Sequence, residues 1–179
     1  MMFVQSGRTS NFFGVRPIFK RVFIAALVLL AIFLVWYARN LVLVLEPEGG
    51  LEIKSMATRP GDEWYLTYTH SVQLTPVWEY FRVNGANDLT MTHTVYSSLG
   101  VGLPYAPSEG KYQMSKEGRF DLEMNRPFSS VKLRTAVQAQ HKLVHQGQVY
   151  DLCRLYGQGT LVEVKVEPRY RLWLEELGA

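Results

Sequence analysis

His70-Ser71 sets an acid-base group beside a hydroxyl, and Glu79 stands close enough in sequence to orient the imidazole, which is the residue set an esterase uses. The segment reads as the end of a strand, however, where neighbouring side chains point to opposite faces, and no Gly-x-Ser-x-Gly elbow exposes a nucleophile. The expected role is therefore non-catalytic. His141 and His145 have the spacing of a helical zinc pair. On a strand, positions four apart lie ~13 Å apart at ~3.3 Å per residue, too far to share an ion, so no metal or other cofactor is expected. Gly100-x-Gly102 resembles a piece of a phosphate-binding loop, but no helical pattern follows it, and a tight turn is the stronger reading. Cys153 is the single cysteine, in Val-Tyr-Asp-Leu-Cys-Arg-Leu-Tyr-Gly, a stretch that reads as strand. It is expected to be structural and to form no intramolecular disulfide.

Two clusters keep a functional reading. In the first, a strand ending at Tyr68 runs into His70, Ser71 and Thr75, and Pro76 restarts a strand carrying Glu79. In the second, the strand ending near Tyr96 opens into Ser98, Gly100, Gly102 and Pro104. Both fit plain β connections, and both fit the loops on which binding sites are built. As a site, His70, Ser71 and Glu79 are expected to lie close to the Gly100–Pro104 loop as one polar patch. If Glu79 reaches His70, it favours the imidazolium, and such a patch suits an anionic small solute or the acidic loop of a partner.

The elements that must position these residues are strands. Beyond Asn40 the apolar period is close to two, with Gly, Pro, Asn and Asp breaks. Strands are expected at 41–45, 51–56, 63–69, 77–83, 89–97, 118–124, 131–137, 142–144, 148–155 and 161–166. Turns are expected at Arg59–Asp62, Asn84-Gly85, Lys116–Gly118 and His145–Gly147. This spacing predicts an all-β sandwich or partly open barrel, with Trp64 or Tyr65 in its core. Residues 170–177 fit one or two helical turns or a last strand.

Before the β region, 18–40 reads as a transmembrane anchor and its flank, following a segment over 1–17. The apolar run Val22–Tyr37 reaches spanning length when Lys20 and Arg21 snorkel, and Trp36 and Tyr37 suit the far interface. A cleaved signal peptide shares the basic-then-apolar order, but cleavage after Ala38 would put Trp36 where a small residue is needed. Of 19 basic residues, five lie at or before Arg39, and all 16 acidic residues lie at or after Glu46. The positive-inside bias therefore puts the N-terminus in the cytoplasm and the β domain, 41–179, outside an inner membrane. That domain carries 14 basic against 16 acidic residues, which removes the electrostatic case for nucleic acid.

At the two clusters the chain resembles a family of short proteins with a domain of unknown function, encoded beside TRAP transporters of the TAXI type. The likeness falls on Tyr68, His70, Ser71 and Val72, then on Pro76, Val77, Glu79 and Phe81, then on Ser98, Gly100, Gly102, Leu103 and Pro104. Val101 stands where the family usually has Ala. The resemblance implies an accessory or regulatory subunit of a TRAP-type uptake system, partnered by the permease or its substrate-binding protein. The alternative is a tethered small-ligand-binding domain, and a third class is a hydrolase using His70 and Ser71.

Overall fold

A computed structural model describes residues 15–97, 110–115 and 118–178. The chain divides into two units, one up to Arg39 and one from Asn40 onward. The first holds helix α1, Val15–Arg39. Its Phe19–Arg39 stretch is long and apolar enough to cross a membrane, as an anchor or a signal sequence is.

The second unit is an open β-sandwich of two antiparallel sheets. The smaller sheet holds β1 (Leu41–Pro47), β2 (Lys54–Ala57), β8 (Ser130–Arg134) and β11 (Leu161–Pro168), in the order β2-β1-β11-β8. The larger has β3 (Glu63–Thr69), β4 (Pro76–Gly85), β5 (Asp88–Tyr96), β6 (Lys111–Met114), β7 (Phe120–Phe128), β9 (Lys142–His145) and β10 (Gln148–Asp151), in the order β10-β9-β3-β4-β5-β7-β6. Alternation decides the faces. Trp64, Leu66 and Tyr68 share a face with Phe81, Glu79 and Val77 opposite them, and this face looks inward. Leu43, Leu45, Val162, Val164 and Val166 meet the larger sheet's Trp64, Leu66, Phe81 and Leu143 in the main core. Trp64 is thus the inward aromatic of the Trp64-Tyr65 pair, while Tyr65 faces out and packs on Tyr80. A second, smaller apolar cluster of Val77, Tyr96 and Leu122 lies farther along the larger sheet.

Four local expectations are corrected. The expected strand through Cys153 stops at Asp151, whose carboxylate accepts from Arg154 N and caps a short helix α2, Leu152–Tyr156. An aspartate facing the third backbone N–H makes a helix start of a sequence that otherwise alternates. The β4–β5 turn is at Ala86-Asn87, with Asn87 at φ 51°, and not at Asn84-Gly85. Asn84 instead holds Asp88 and Thr90 through its amide, so the hairpin is one residue pair longer. The expected 131–137 strand ends at Arg134, because Thr135 turns its hydroxyl and N–H to Gly157 O and Thr160 O. Strand β6 was not expected, and β7 runs to Phe128, past Pro127; beyond Glu123 no described strand pairs with its β6 side, so a missing N–H costs nothing there. Residues 169–178, left open above, form helix α3, Arg169–Gly178.

Register orients the sandwich. Leu41 pairs with Pro168, and Val166 O accepts from Asn87 N, so the entry at Asn40 and the β4–β5 turn share one end. The β3–β4 loop, residues 70–75, is therefore at the opposite end.

Candidate functional site

The loop from His70 to Thr75 is held by the histidine itself. His70 is 8% exposed, and its Nδ1 accepts from the N–H groups of Val72 and Gln73, both at 3.2 Å. His70 N donates to Thr75 O at 2.8 Å, and Leu74 N donates to His70 O at 2.9 Å. An imidazole nitrogen that accepts carries no proton, so His70 works here as a cap for the turn, in the way a side-chain oxygen caps an Asx turn. Leu74 takes φ 52°, a conformation that a non-glycine residue adopts only when its surroundings enforce it. The consequence is a stiff loop that turns its apolar side chains outward. Val72 is 65% exposed and Leu74 76%, with Ser71 before them and Gln73 between them also exposed.

Glu79 behaves differently. It is paired across the sheet with Leu66 on one side and Thr94 on the other, so it looks into the sandwich, between the two apolar clusters. The bonded partner of its carboxylate is Tyr68, whose hydroxyl donates to Oε1 at 2.9 Å, and not the imidazole that the sequence suggested. Register explains this: Tyr68 and Glu79 point to the same inner face from adjoining strands, whereas His70 lies past the end of β3. Burial raises the Glu79 carboxyl above its ordinary value, against the lowering effect of the Tyr68 hydrogen bond. Burial, then the Glu79 charge, raises Tyr68 as well. The Thr94 hydroxyl, on the residue opposite Glu79, and the Thr75 hydroxyl in the loop are both buried with no hydrogen-bond partner among the described residues.

A titration follows. Because the folded carboxyl is raised above 4.5, the folded state keeps a proton that the unfolded chain has already released. Stability is then fullest below pH 4.5 with respect to this group and declines as pH rises through the folded value. Glu79→Gln should remove that decline while keeping an acceptor for Tyr68, giving a higher melting temperature than wild type at pH 7 and a flatter pH profile. An unchanged profile in calorimetry from pH 4 to 8 would show that Glu79 does not carry it.

The histidine pair His141 and His145 is taken up by the backbone. His141 Nδ1 accepts from Ala136 N at 3.3 Å, its ring packs on Tyr68, and burial lowers its pKa. His145, buried, places Nε2 at 3.1 Å from Ala57 O and so links β9 to the end of β2. Of the other expected site residues, Ser98, Gly100, Gly102 and Pro104 lie outside the described residues.

One feature escaped the sequence. A cavity of about 450 Å³ is lined by Val137, Gln140, Lys142, Asp151, Cys153 and Arg154. Lys142 lies directly opposite Asp151 in the β9–β10 pair, and Gln140 sits at φ 50°. The signal was hidden because α2 was read as strand, which would have turned Cys153 and Arg154 to opposite faces.

Residues 65–152 match a family model described as a domain of unknown function, DUF1850. That span contains the His70 loop, Glu79 and the cavity-lining Val137, Gln140, Lys142 and Asp151, while Cys153 and Arg154 lie just beyond it, and the match agrees with the resemblance to an uncharacterised family. No curated protein and no solved structure matches the chain.

Proposed function

We propose that the chain is a membrane-tethered, non-catalytic accessory subunit of a TRAP-type solute uptake system, in which α1 is the tether and the sandwich captures a protein partner outside the cytoplasm. The observation that carries this reading is the His70–Thr75 loop, stiff and with Val72 and Leu74 presented to solvent. Exposed apolar side chains on a loop held in one shape by its own hydrogen bonds lose little entropy on docking. The loop's position at the end away from Asn40 favours the soluble substrate-binding protein over the permease as its partner. Tethering supports the same reading, because it raises the local concentration of the domain without needing high affinity. The basic residues Arg8, Arg16, Lys20 and Arg21, which precede the apolar run Val22–Tyr37, support an N-terminus in the cytoplasm of an inner-membrane protein.

Full-length protein purified in mild detergent should retain the transporter's binding protein, and the double variant Val72→Ser, Leu74→Ser should weaken that capture. Two apolar anchors of this kind are worth about 2 kcal/mol, or roughly thirty-fold in Kd. Its melting temperature should match wild type, since both side chains are exposed. Capture at wild-type strength by the double variant would remove the loop from the interface, and failure of the wild type to retain any transporter component would sink the subunit reading itself.

The cavity favours a second reading, a tethered small-ligand-binding domain. Its volume suits a small solute, and Lys142 and Arg154 supply positive charge for an anionic one. Stabilisation of melting by small carboxylates that is lost in Lys142→Ala would favour it over the first.

A further inference from the structure

Helix α3 has an outward stripe that the core does not account for. Tyr170, Trp173, Leu174 and Leu177 recur at i, i+3, i+4 and i+7, and so fall on one face. All four are exposed, Leu174 at 62% and Leu177 at 83%, while Leu172, on the other side of the helix, is half-buried. Arg171, at 3.8 Å from Glu167, ties that other side back toward β11. A short helix usually turns its apolar stripe inward, and this one turns it away.

The place of the helix in the fold says what meets the stripe. Arg169, the first residue of α3, donates its N–H to Asn40 O at 2.8 Å, and the preceding Pro168 pairs with Leu41. Asn40 is bonded to Arg39, the last residue of the apolar helix α1. One peptide link is about 3.8 Å, so if α1 crosses a bilayer, α3 begins where the chain leaves it. Tryptophan and tyrosine favour that depth, with an apolar body in the acyl boundary and a polar edge toward water. Arg169 and Arg171 balance Glu175 and Glu176, so the attraction is to an apolar interface and not to anionic headgroups.

We infer that α3 lies along the outer bilayer surface beside the emerging chain, with Tyr170, Trp173, Leu174 and Leu177 in the lipid interface. This rests on the reading of α1 as a membrane tether. A second contact next to the tether restrains how the sandwich swings about Asn40, and so where the His70–Thr75 loop is carried.

The test uses the full chain in vesicles of zwitterionic phosphatidylcholine brominated at defined acyl depths. Subtracting the fluorescence of Trp173→Phe from wild type isolates Trp173, and subtracting Trp36→Phe isolates a tryptophan inside α1. Shallow bromines are expected to quench the Trp173 component, and Leu174→Glu with Leu177→Glu should abolish that quenching while the far-UV spectrum stays the same. If Trp36 is quenched and Trp173 is not, the tether stands and the inference is wrong, the stripe being left to a protein partner or a second copy. If neither is quenched, α1 does not span the bilayer, and the membrane reading falls together with this one.

Discussion

Replacing Lys165 with methionine is expected to destabilise the sandwich by about 3–5 kcal/mol, the usual cost of removing one partner from a buried ionic group. Lys165 stands on the outer face of the smaller sheet, with Nζ 2.5 Å from Glu46 and 3.1 Å from Glu167. Only 14% of its side chain and 5% of Glu167 meet solvent. Without the ammonium, two carboxylates face each other and buried Glu167 keeps only the distant, half-exposed Arg171 at 3.8 Å, with its Oε2 already lacking a hydrogen-bond partner among the described residues. Urea denaturation should show the midpoint falling at unchanged slope. Replacing Glu46, Lys165 and Glu167 together by apolar residues should recover most of the loss, because it is the orphaned charge that costs and not the absence of the network. Burial pushes the Lys165 amine down, but the hydrogen bonds and charges of Glu46 and Glu167 outweigh it and leave it above 10.5. Its contribution is therefore intact below pH 10.5 and lost as pH rises through the folded value, a loss the methionine variant should not show. A midpoint equal to wild type would mean that water already screens the group.

Trp64→Ala should cost a similar amount, about 3–5 kcal/mol, for a different reason. Trp64 is 1% exposed and stacks on Phe81 at 4.4 Å between ring centroids, and Phe81 meets Phe128 edge to face. Alanine there leaves a cavity in the middle of the main core, bounded by both sheets, which strands held in a ladder cannot move to fill. Since a domain of this size has about 5–15 kcal/mol in total, either variant consumes a large share of it. Trp64→Phe separates packing from polarity. The indole N–H is buried with no hydrogen-bond partner among the described residues, so phenylalanine keeps the stack, leaves no acceptor unmet and should cost well under half as much. Equal losses for alanine and phenylalanine would show that the nitrogen is bonded after all.

How much of this was legible varies by element. Strands β3, β4, β5 and β11 could be read because each has a wet face and a dry one over seven or more residues, so the period shows. Helix α2 could not, because five residues between Asp151 and Gly157 are too few to establish a period, and the cap that starts it is a contact and not a pattern. The site divides in the same way. The loop at His70–Thr75 stood out for its composition, but the job of His70 did not, since Nδ1 is assigned by backbone groups two and three residues away that only the folded turn brings to it.

By itself the sequence determined an apolar segment long enough to cross a membrane and a β-sandwich after it, because both follow from the order of apolar and polar residues along the chain. Which polar groups meet was decided by tertiary structure alone. Glu79 pairs with Tyr68 because β3 and β4 are in the register that sets Leu66 against Glu79. A shift of one residue would have turned that carboxylate to solvent and left Tyr68 without it. The stripe on α3 was present in the sequence as four apolar residues, but its outward direction, and its start beside Asn40, depend on β11 returning next to β1. Long-range pairing of this kind is set by the packing of whole sheets, and no local pattern encodes it.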